Sequence, residues 1–511
     1  LQIYQTTRNI DNEKMESNSD DDESKQIRIS LILAPGIPNN ENLKIPSDPI
    51  AVPCSIRRRG LSSLVNHLLD RKIPAVNDDD DENEGMDSDD ENKLPFVPFD
   101  FILNNKLLRV SVEAAVRRER LSLEEAVEIQ YFPAVNAPKS EGNSEKFPDW
   151  ISAMIFIKNG QTGGDGLLYT GSYDGSIRAF DCSGMNNDGM KEMTSIQAHT
   201  GPIKCLSSIF VPNSNIKVEP KSYIATGSMD QTLLIHSLTT NTSTDNKENA
   251  NISKKFNLHA VCSGGHFNSV ESVVLQHHNN YTLMTSGDWD GGICLWKIPT
   301  NNESTAATDQ STGDQKNKKK RRTNTDLEKN STEMLSSAIE IQPTSSWKAH
   351  ISSISSLVWS HSPSSSATDA SHHLISSSWD HSLKVWDINQ EDCLLTLNGS
   401  RVVTSLDRCS VSDVVATGHP DCTVRLWDMR TGKAEVATSV SDGSLKPSHK
   451  AWISSIQWST KEPHVLATNS HDGCIKIWDI RSSLPLHTIR AHDKGHKGLC
   501  LAFTDDSLYS G

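Results

Sequence analysis

"HHLISSSWDHSLKVWDI", from His372 to Ile388, and "HVLATNSHDGCIKIWDI", from His464 to Ile480, are one phrase written twice. Each holds an apolar run, small polar residues, an Asp, and alternating apolar residues that end in Trp-Asp. The phrase returns in "DVVATGHPDCTVRLWDM" (Asp413 to Met429) and "YTLMTSGDWDGGICLWKI" (Tyr281 to Ile298). It is looser in "LLYTGSYDGSIRAFD" (Leu167 to Asp181) and "SYIATGSMDQTLLIHSL" (Ser222 to Leu238). Its pivots are Asp174, Asp230, Asp290, Asp380, Asp421 and Asp472. Six positions after each pivot stand Phe180, His236, Trp296, Trp386, Trp427 and Trp478.

Physically the phrase is a strand, a tight turn and a second strand. In "SLKVWD" the alternation sets Leu383, Val385 and Asp387 on one face and Lys384 and Trp386 on the other. The Gly, Ser, His and Asp before it are turn formers, and the pivot carboxylate falls where it can accept backbone N–H bonds. Upstream stand His199, His266, His350, His449 and His492. Recurrence at this period resembles the WD-repeat family, whose repeats form the blades of a β-propeller. The resemblance implies that the His, the turn Asp, a Ser or Thr and the Trp are hydrogen-bonded within one blade. These recurring residues therefore read as structural, since an active site would not be repeated in every copy.

At 511 residues, with 35% hydrophobic and 23% charged residues, the chain suits a soluble repeat array with disordered inserts. No apolar run approaches the roughly 20 residues that span a bilayer, and no secretory signal pattern is visible. The ten Cys contain no C-x-x-C pair, which argues for reduced thiols and against a zinc site. A net charge of −15 disfavours nucleic-acid binding through the surface as a whole.

Residues 1–25 read as a disordered acidic tail, and a first residue Leu1 leads us to expect sequence upstream of it. "QIRISLIL" alternates as a strand, and "DPIAVPCSI" (Asp48 to Ile56) as an edge strand with its prolines. Leu61, Leu64, Val65, Leu68 and Leu69 share a helical face. Residues 77–93 are an acidic insert, read as a solvated loop. "FDFILNNKLLR" (Phe99 to Arg109) is a strand, an Asn-Asn turn and a short strand. Ser111 caps a short helix with apolar Val112, Ala115 and Val116, and "AVEIQYF" closes the segment. The order strand, strand, helix, strand, strand, helix, strand is that of a ubiquitin-like β-grasp domain, here residues 26–133. Residues 134–149 read as a linker.

The propeller is expected over 150–511. Its pivots lie 56, 60, 90, 41 and 51 residues apart, against about 40–45 for a repeat. The excess is assigned to disordered inserts at 239–255 and 300–343. "LHTIRAHDKGHKGLCLAFTDDSLYSG" begins a seventh repeat that stops at Gly511, before its pivot. The last blade is therefore expected to be incomplete, lacking the strand that carries the Trp position, and a longer chain to be more stable. "YFPAVNAP" (Tyr131 to Pro138) is the candidate for its outer strand. The fold class is mainly β: a seven-bladed propeller preceded by a small α+β domain.

No phosphate-binding Gly loop, G-x-S-x-G elbow or H-E-x-x-H is present, and the acidic runs lack calcium-loop spacing. We therefore expect neither catalysis nor a cofactor, and no metal bound by this chain alone. Lys316, Lys318, Lys319, Lys320, Arg321 and Arg322, in "KNKKKRR", read as a nuclear import signal or a solvated charge run.

A ubiquitin-like domain before a seven-bladed WD propeller resembles the ribosome-biogenesis WD-repeat family of the PeBoW (Nop-seven) complex. The resemblance rests on "PFDFILNNKLLR", "EEAVEIQY", "DWISAM" and "TGSYDGSIR". It implies a nuclear, nucleolar and nucleoplasmic assembly factor for the large (60S) ribosomal subunit, needed for rRNA processing. The propeller would bind a block-of-proliferation-type WD-repeat protein, with a pescadillo-type protein reached through the complex. The ubiquitin-like domain would dock on the midasin AAA ATPase, whose pull releases the complex from the pre-60S particle. Glu124, or its neighbour Glu125, in "LSLEEAVEIQY" would complete the coordination of midasin's magnesium ion; without the resemblance both read as solvated loop acids. The alternative is a ubiquitin-pathway substrate adaptor with a client-binding propeller.

Overall fold

In the computed structural model the described residues are 2–5, 26–35, 40–71, 94–122, 126–135, 137–143, 147–158, 166–182, 190–211, 221–241, 253–277, 281–299, 338–361, 372–412, 414–429, 444–445, 447–493, 495–504 and 507–511. They form eight sheets: one belongs to the N-terminal domain and seven to a ring of blades.

The first strand, β1 (Gln2–Gln5), belongs to the ring. The N-terminal domain comprises β2 (Gln26–Leu33), β3 (Ile50–Pro53), α1 (Arg58–Leu68), β4 (Phe99–Leu103), β5 (Lys106–Leu107), α2 (Val112–Glu119) and β6 (Val127–Pro133). Its sheet runs β3-β2-β6-β4-β5, with β2 and β6 parallel and the other pairs antiparallel. That is the β-grasp arrangement. Alternation in β2 buries Ile27, Ile29 and Leu31 against Leu61 and Val65 of α1 and Val112 and Val116 of α2. The β4–β5 turn is possible because Asn104 and Asn105 both take positive φ, 49° and 62°, which Asn tolerates better than most residues. Ser111 accepts the Ala114 N–H at the start of α2.

Each blade of the ring is built on four antiparallel strands, the first of which faces a central channel of about 780 Å³. The second strand is closed in on both sides. Gly166–Ser172 and Val465–Ser470 are buried at every residue, which explains their runs of small and apolar side chains. Hydroxyls tie neighbouring blades together: Ser152 donates to the Ile203 carbonyl (2.5 Å), Thr404 to Ile453 (2.6 Å) and Ser454 to Gly498 (2.7 Å). The seventh blade meets the first through the Cys500 thiol on the Ile151 carbonyl and the stacked rings of Phe156 and Tyr509.

Four expectations change. First, the seventh blade has four strands. Leu501–Phe503 and Ser507–Ser510 come from the C-terminal side, and β1 and β7 (Lys139–Asn143) from the N-terminal side. β1 lies antiparallel between Ser507–Ser510 and β7. Tyr4 pairs with Leu508 as Phe180 pairs with Leu168, so it takes the register of the Trp position. A short apolar alternation beside a polar tail hid this strand in the sequence. Second, the outer strand is Lys139–Asn143, inside the expected linker, because Tyr131 is already used in β6. Third, Thr239–Asn241 and Ser253–Lys255 extend strands into the first insert. Fourth, Ile339–Ile341, in the longest insert, adds a parallel fifth strand to the second blade through Ala260 to Cys262. Residues 242–252 and 300–337 of the two inserts, and the acidic insert 77–93, lie outside the described residues.

Candidate functional site

In six blades the turn between the second and third strands carries the pivot Asp. The residue after it is left-handed in six blades: Gly175, Gln231, Gly291, His381, Cys422 and Gly473 have φ between 64° and 84°. Glycine takes that conformation without strain, which is why it recurs there. In the fourth blade the hydrogen bonds form a directed chain. The Trp386 indole N–H donates to Ser376 (2.9 Å), and Ser376 bonds Nε2 of His350 (2.7 Å). His350 Nδ1 bonds Asp380 (3.0 Å), which also accepts the Ser382 N–H and the Ile351 N–H. The sixth blade repeats the chain with Trp478, Thr468, His449 and Asp472.

The other blades vary the theme. In the second, His199 joins Thr226 and Asp230, and His236 occupies the Trp position. In the third, His266 bonds Asp288 at 2.9 Å and Ser286, which accepts from Trp296. The side chain of Asp290, the expected pivot, accepts a 3.3 Å bond from Asn268, while the histidine is taken by Asp288, which stands where the first, second, fourth and sixth turns have Ser. In the first and fifth blades, Arg178 and Arg425 hold Asp174 (2.6 Å) and Asp421 (2.7 Å) in place of a histidine. His419 bonds Thr417, the acceptor for Trp427. His492 bonds Ser510 in the seventh. These networks are consumed within their blades. Among the described residues, no three or more His, Cys, Asp or Glu side chains are grouped to hold a metal ion.

Burial sets the charge state of these groups. It holds the imidazoles of His236 and His419 down to about 4, with His199 and Arg425 adding repulsion, and lowers His350 and His449 as well. Burial would raise Asp380, but Ser382 and His350 outweigh it and hold the carboxyl below its ordinary range. A histidine held neutral in the fold protonates in the unfolded chain first. Its stabilisation is therefore full above pH 6.5 and is lost as pH falls toward 4, roughly 3 kcal/mol for each of His236 and His419. Asp407 acts oppositely. Burial pushes its carboxyl up to about 6, so its contribution falls as pH rises from 3.8 through 6. The histidines outnumber it. The melting temperature is expected to fall between pH 6.5 and pH 4; a rise over that interval would contradict the balance.

One step before five of the six pivots, all but Asp421 with its Pro420, the chain presents a different set of side chains to solvent. Tyr173, Met229, Trp289, Trp379 and His471 occupy this position. Their backbone N–H groups donate to the residues that enter the first strand: Trp150, Pro202, Ser269, Ser353 and Trp452, at 2.9–3.0 Å. The repeated bond puts both sets on one face of the ring. Trp150 is 63% exposed, Trp289 44%, Trp379 36% and Trp452 48%, while Phe267 and Ile351 on the adjoining loops reach 85% and 90%. The rings support one another. Trp150 meets Tyr173 edge-on at 5.7 Å, Trp289 lies 5.5 Å from Trp379 on the next blade, and Trp452 stacks on His471. Lys204 lies over Tyr173 and pairs with Glu271 at 3.4 Å. Large aromatic side chains held rigid and half in water are the composition of a protein-docking surface. The sequence carried a signal for them, a large apolar residue in an otherwise polar turn, but the pivot Asp drew the reading past it.

Glu124, Glu125 and the basic run from Lys316 to Arg322 lie outside the described residues.

A model of the NLE (NUC135) domain matches residues 37–116, and the WD domain, G-beta repeat, matches 190–237, 258–297, 341–387, 391–428 and 440–479. The chain is 29% identical over 475 residues to a ribosome biogenesis protein WDR12 homolog of Arabidopsis thaliana, covering 93% of this chain and 92% of that one. A protein of the same name from Oryza sativa subsp. japonica is 27% identical over 505 residues, 97% of each chain. Ribosome biogenesis protein YTM1 of Saccharomyces cerevisiae (strain YJM789) is 26% identical over 483 residues, 89% of this chain and 87% of its own.

Proposed function

We propose, for a chain that resembles the WD-repeat ribosome biogenesis proteins with an NLE domain over nearly its whole length, a non-catalytic role in assembling the large (60S) ribosomal subunit. The shared name of the relatives supports ribosome biogenesis and, with it, a nuclear and nucleolar place of work. In this reading the aromatic face of the propeller docks a block-of-proliferation-type propeller protein, and a pescadillo-type protein joins through it. The ubiquitin-like domain engages midasin, with Glu124, or Glu125 beside it, as the carboxylate that completes a magnesium site on that partner. Mg²⁺ favours hard oxygen ligands in octahedral geometry, and an open position on the metal accepts a carboxylate from outside. Lys316, Lys318, Lys319, Lys320, Arg321 and Arg322 serve import. One observation supports the docking part most: exposed aromatic side chains line a single face of a ring whose polar turn groups are already satisfied internally.

The test is purification of the tagged chain from cell extract. Pre-60S proteins and the partner propeller protein should be recovered, and Trp289→Ala with Trp379→Ala should reduce the partner propeller at least tenfold, about 1.4 kcal/mol. Glu124→Asp, which withdraws the carboxylate by about 1.5 Å, should abolish midasin recovery and leave the propeller partner in place. Recovery of proteasome or cullin subunits instead would favour a ubiquitin-pathway adaptor and sink this reading.

A further inference from the structure

The ubiquitin-like domain is joined to the ring by the chain on both sides, through residues 6–25 back to β1 and through residues 134–138 on to β7, and by a contact. The shorter covalent route is the second: β6 ends at Pro133, and β7, the outer strand of the seventh blade, begins at Lys139. Tension along this route would peel β7 away from β1 one backbone pair at a time.

The contact is made with the sixth blade. After Trp478 the chain makes a tight turn in which the Asp479 carboxylate accepts the Arg481 N–H at 2.8 Å and its guanidinium at 2.6–3.2 Å. Asp479 is almost wholly buried, and Arg481 is 19% exposed. So fixed, the guanidinium lies 4.4 Å from the ring centroid of Phe132, in β6 of the other domain. Three further contacts surround it. The N–H of Leu107, in the edge strand β5, donates to the Arg481 carbonyl at 3.2 Å. Nε2 of His487 donates to the Val135 carbonyl at 3.0 Å. Leu486 packs into a cluster with Ala34, Ile102, Leu107 and Phe132.

We infer that this junction, centred on Arg481 over Phe132, holds the ubiquitin-like domain and the sixth blade as one body, so that a pull on the domain enters the ring through the sixth blade and spares β7. The holding stands on these contacts alone; its use under a pull rests on the functional reading above. Several features set it apart from casual contact between tethered domains. The arginine is oriented by a carboxylate of its own turn, an exposed sheet edge finds an acceptor, and the apolar side chains on both sides are covered.

Dyes placed on Cys393, exposed on the fourth blade, and on Ala114→Cys, exposed on α2, report the relative position of the two bodies, with half-buried Cys422 and Cys474 changed to Ser. The distance distribution in the full chain should be single and narrow. Arg481→Gln should roughly double its width, as expected for domains joined only through the chain. Because Arg481 also belongs to its own turn, Phe132→Leu and Leu486→Asp are measured separately; each should broaden the distribution with the sixth blade intact. A broad distribution in the parent chain, or unchanged widths in Phe132→Leu and Leu486→Asp, would overturn the inference. No partner is present in the measurement, so its outcome is independent of whether midasin binds.

Discussion

Removing Leu1–Gln5 is expected to open the seventh blade and destabilise the ring by roughly 5 kcal/mol or more, at about 1 kcal/mol for each net backbone hydrogen bond lost. β1 is an interior strand. Gln2, Ile3, Tyr4 and Gln5 pair with Ser510, Tyr509, Leu508 and Ser507 on one side, and Gln2, Tyr4 and Gln5 pair with Asn143, Ser140 and Lys139 on the other. Without it, β7 has no neighbour in the sheet and Ser507–Ser510 becomes an unprotected edge prone to intermolecular pairing. Amide exchange at Leu508 to Ser510 should accelerate toward the unprotected rate, and the truncated chain should associate at concentrations where the full chain does not. A synthetic Leu-Gln-Ile-Tyr-Gln peptide should partly restore the melting temperature. Identical melting and exchange in the truncated chain would show that β1 does not close the blade.

The second large effect is expected at Ser376. Its hydroxyl is fully buried and joins the Trp386 indole N–H to Nε2 of His350. With Nδ1–H donated to Asp380, Nε2 is the acceptor of the Ser376 hydroxyl. Ser376→Ala therefore removes one small oxygen and leaves two buried polar groups unpaired, a donor on Trp386 and an acceptor on His350. At about 1–3 kcal/mol for each unsatisfied group, the expected loss is roughly 2–6 kcal/mol. Ser400→Ala, at an exposed position, should stay within about 0.5 kcal/mol of the parent. Chemical denaturation of the two variants separates the cases. A loss at Ser376 no larger than at Ser400 would mean that the chain of bonds contributes little to stability.

The parts of the fold readable in the sequence are those written by local rules. Period-two alternation and the turn before each Trp gave six blades, and Asn104-Asn105 and Ser111 gave the hairpin and the second helix. What could not be read depends on pairing across the whole chain. Four residues of β1 carry too little alternation to identify a strand, and only Ser507–Ser510 and β7 give them a place. Asp288 and Asp290 sit two residues apart in one turn, and spacing favoured Asp290; distance to His266 chose Asp288. The aromatic residues before the pivots could be seen singly in the sequence, but not as one face, for a related reason. Trp289 and Trp379 become neighbours only when the third and fourth blades are set side by side.

The pairing of Gln2 with Ser510 also sets a schedule. During synthesis β1 leaves the ribosome before the other described strands of the ring, and its partner strand Ser507–Ser510 is made after them. At about 5–20 residues per second, a chain of 511 residues keeps β1 waiting roughly 25–100 s. Through that interval six blades can form in order while the ring cannot close. The seventh blade is the natural last step of folding, separated in sequence by almost the full chain and correspondingly slow to find. A chaperone that covers the unpaired Ser507–Ser510 edge would act at this step and at no earlier one.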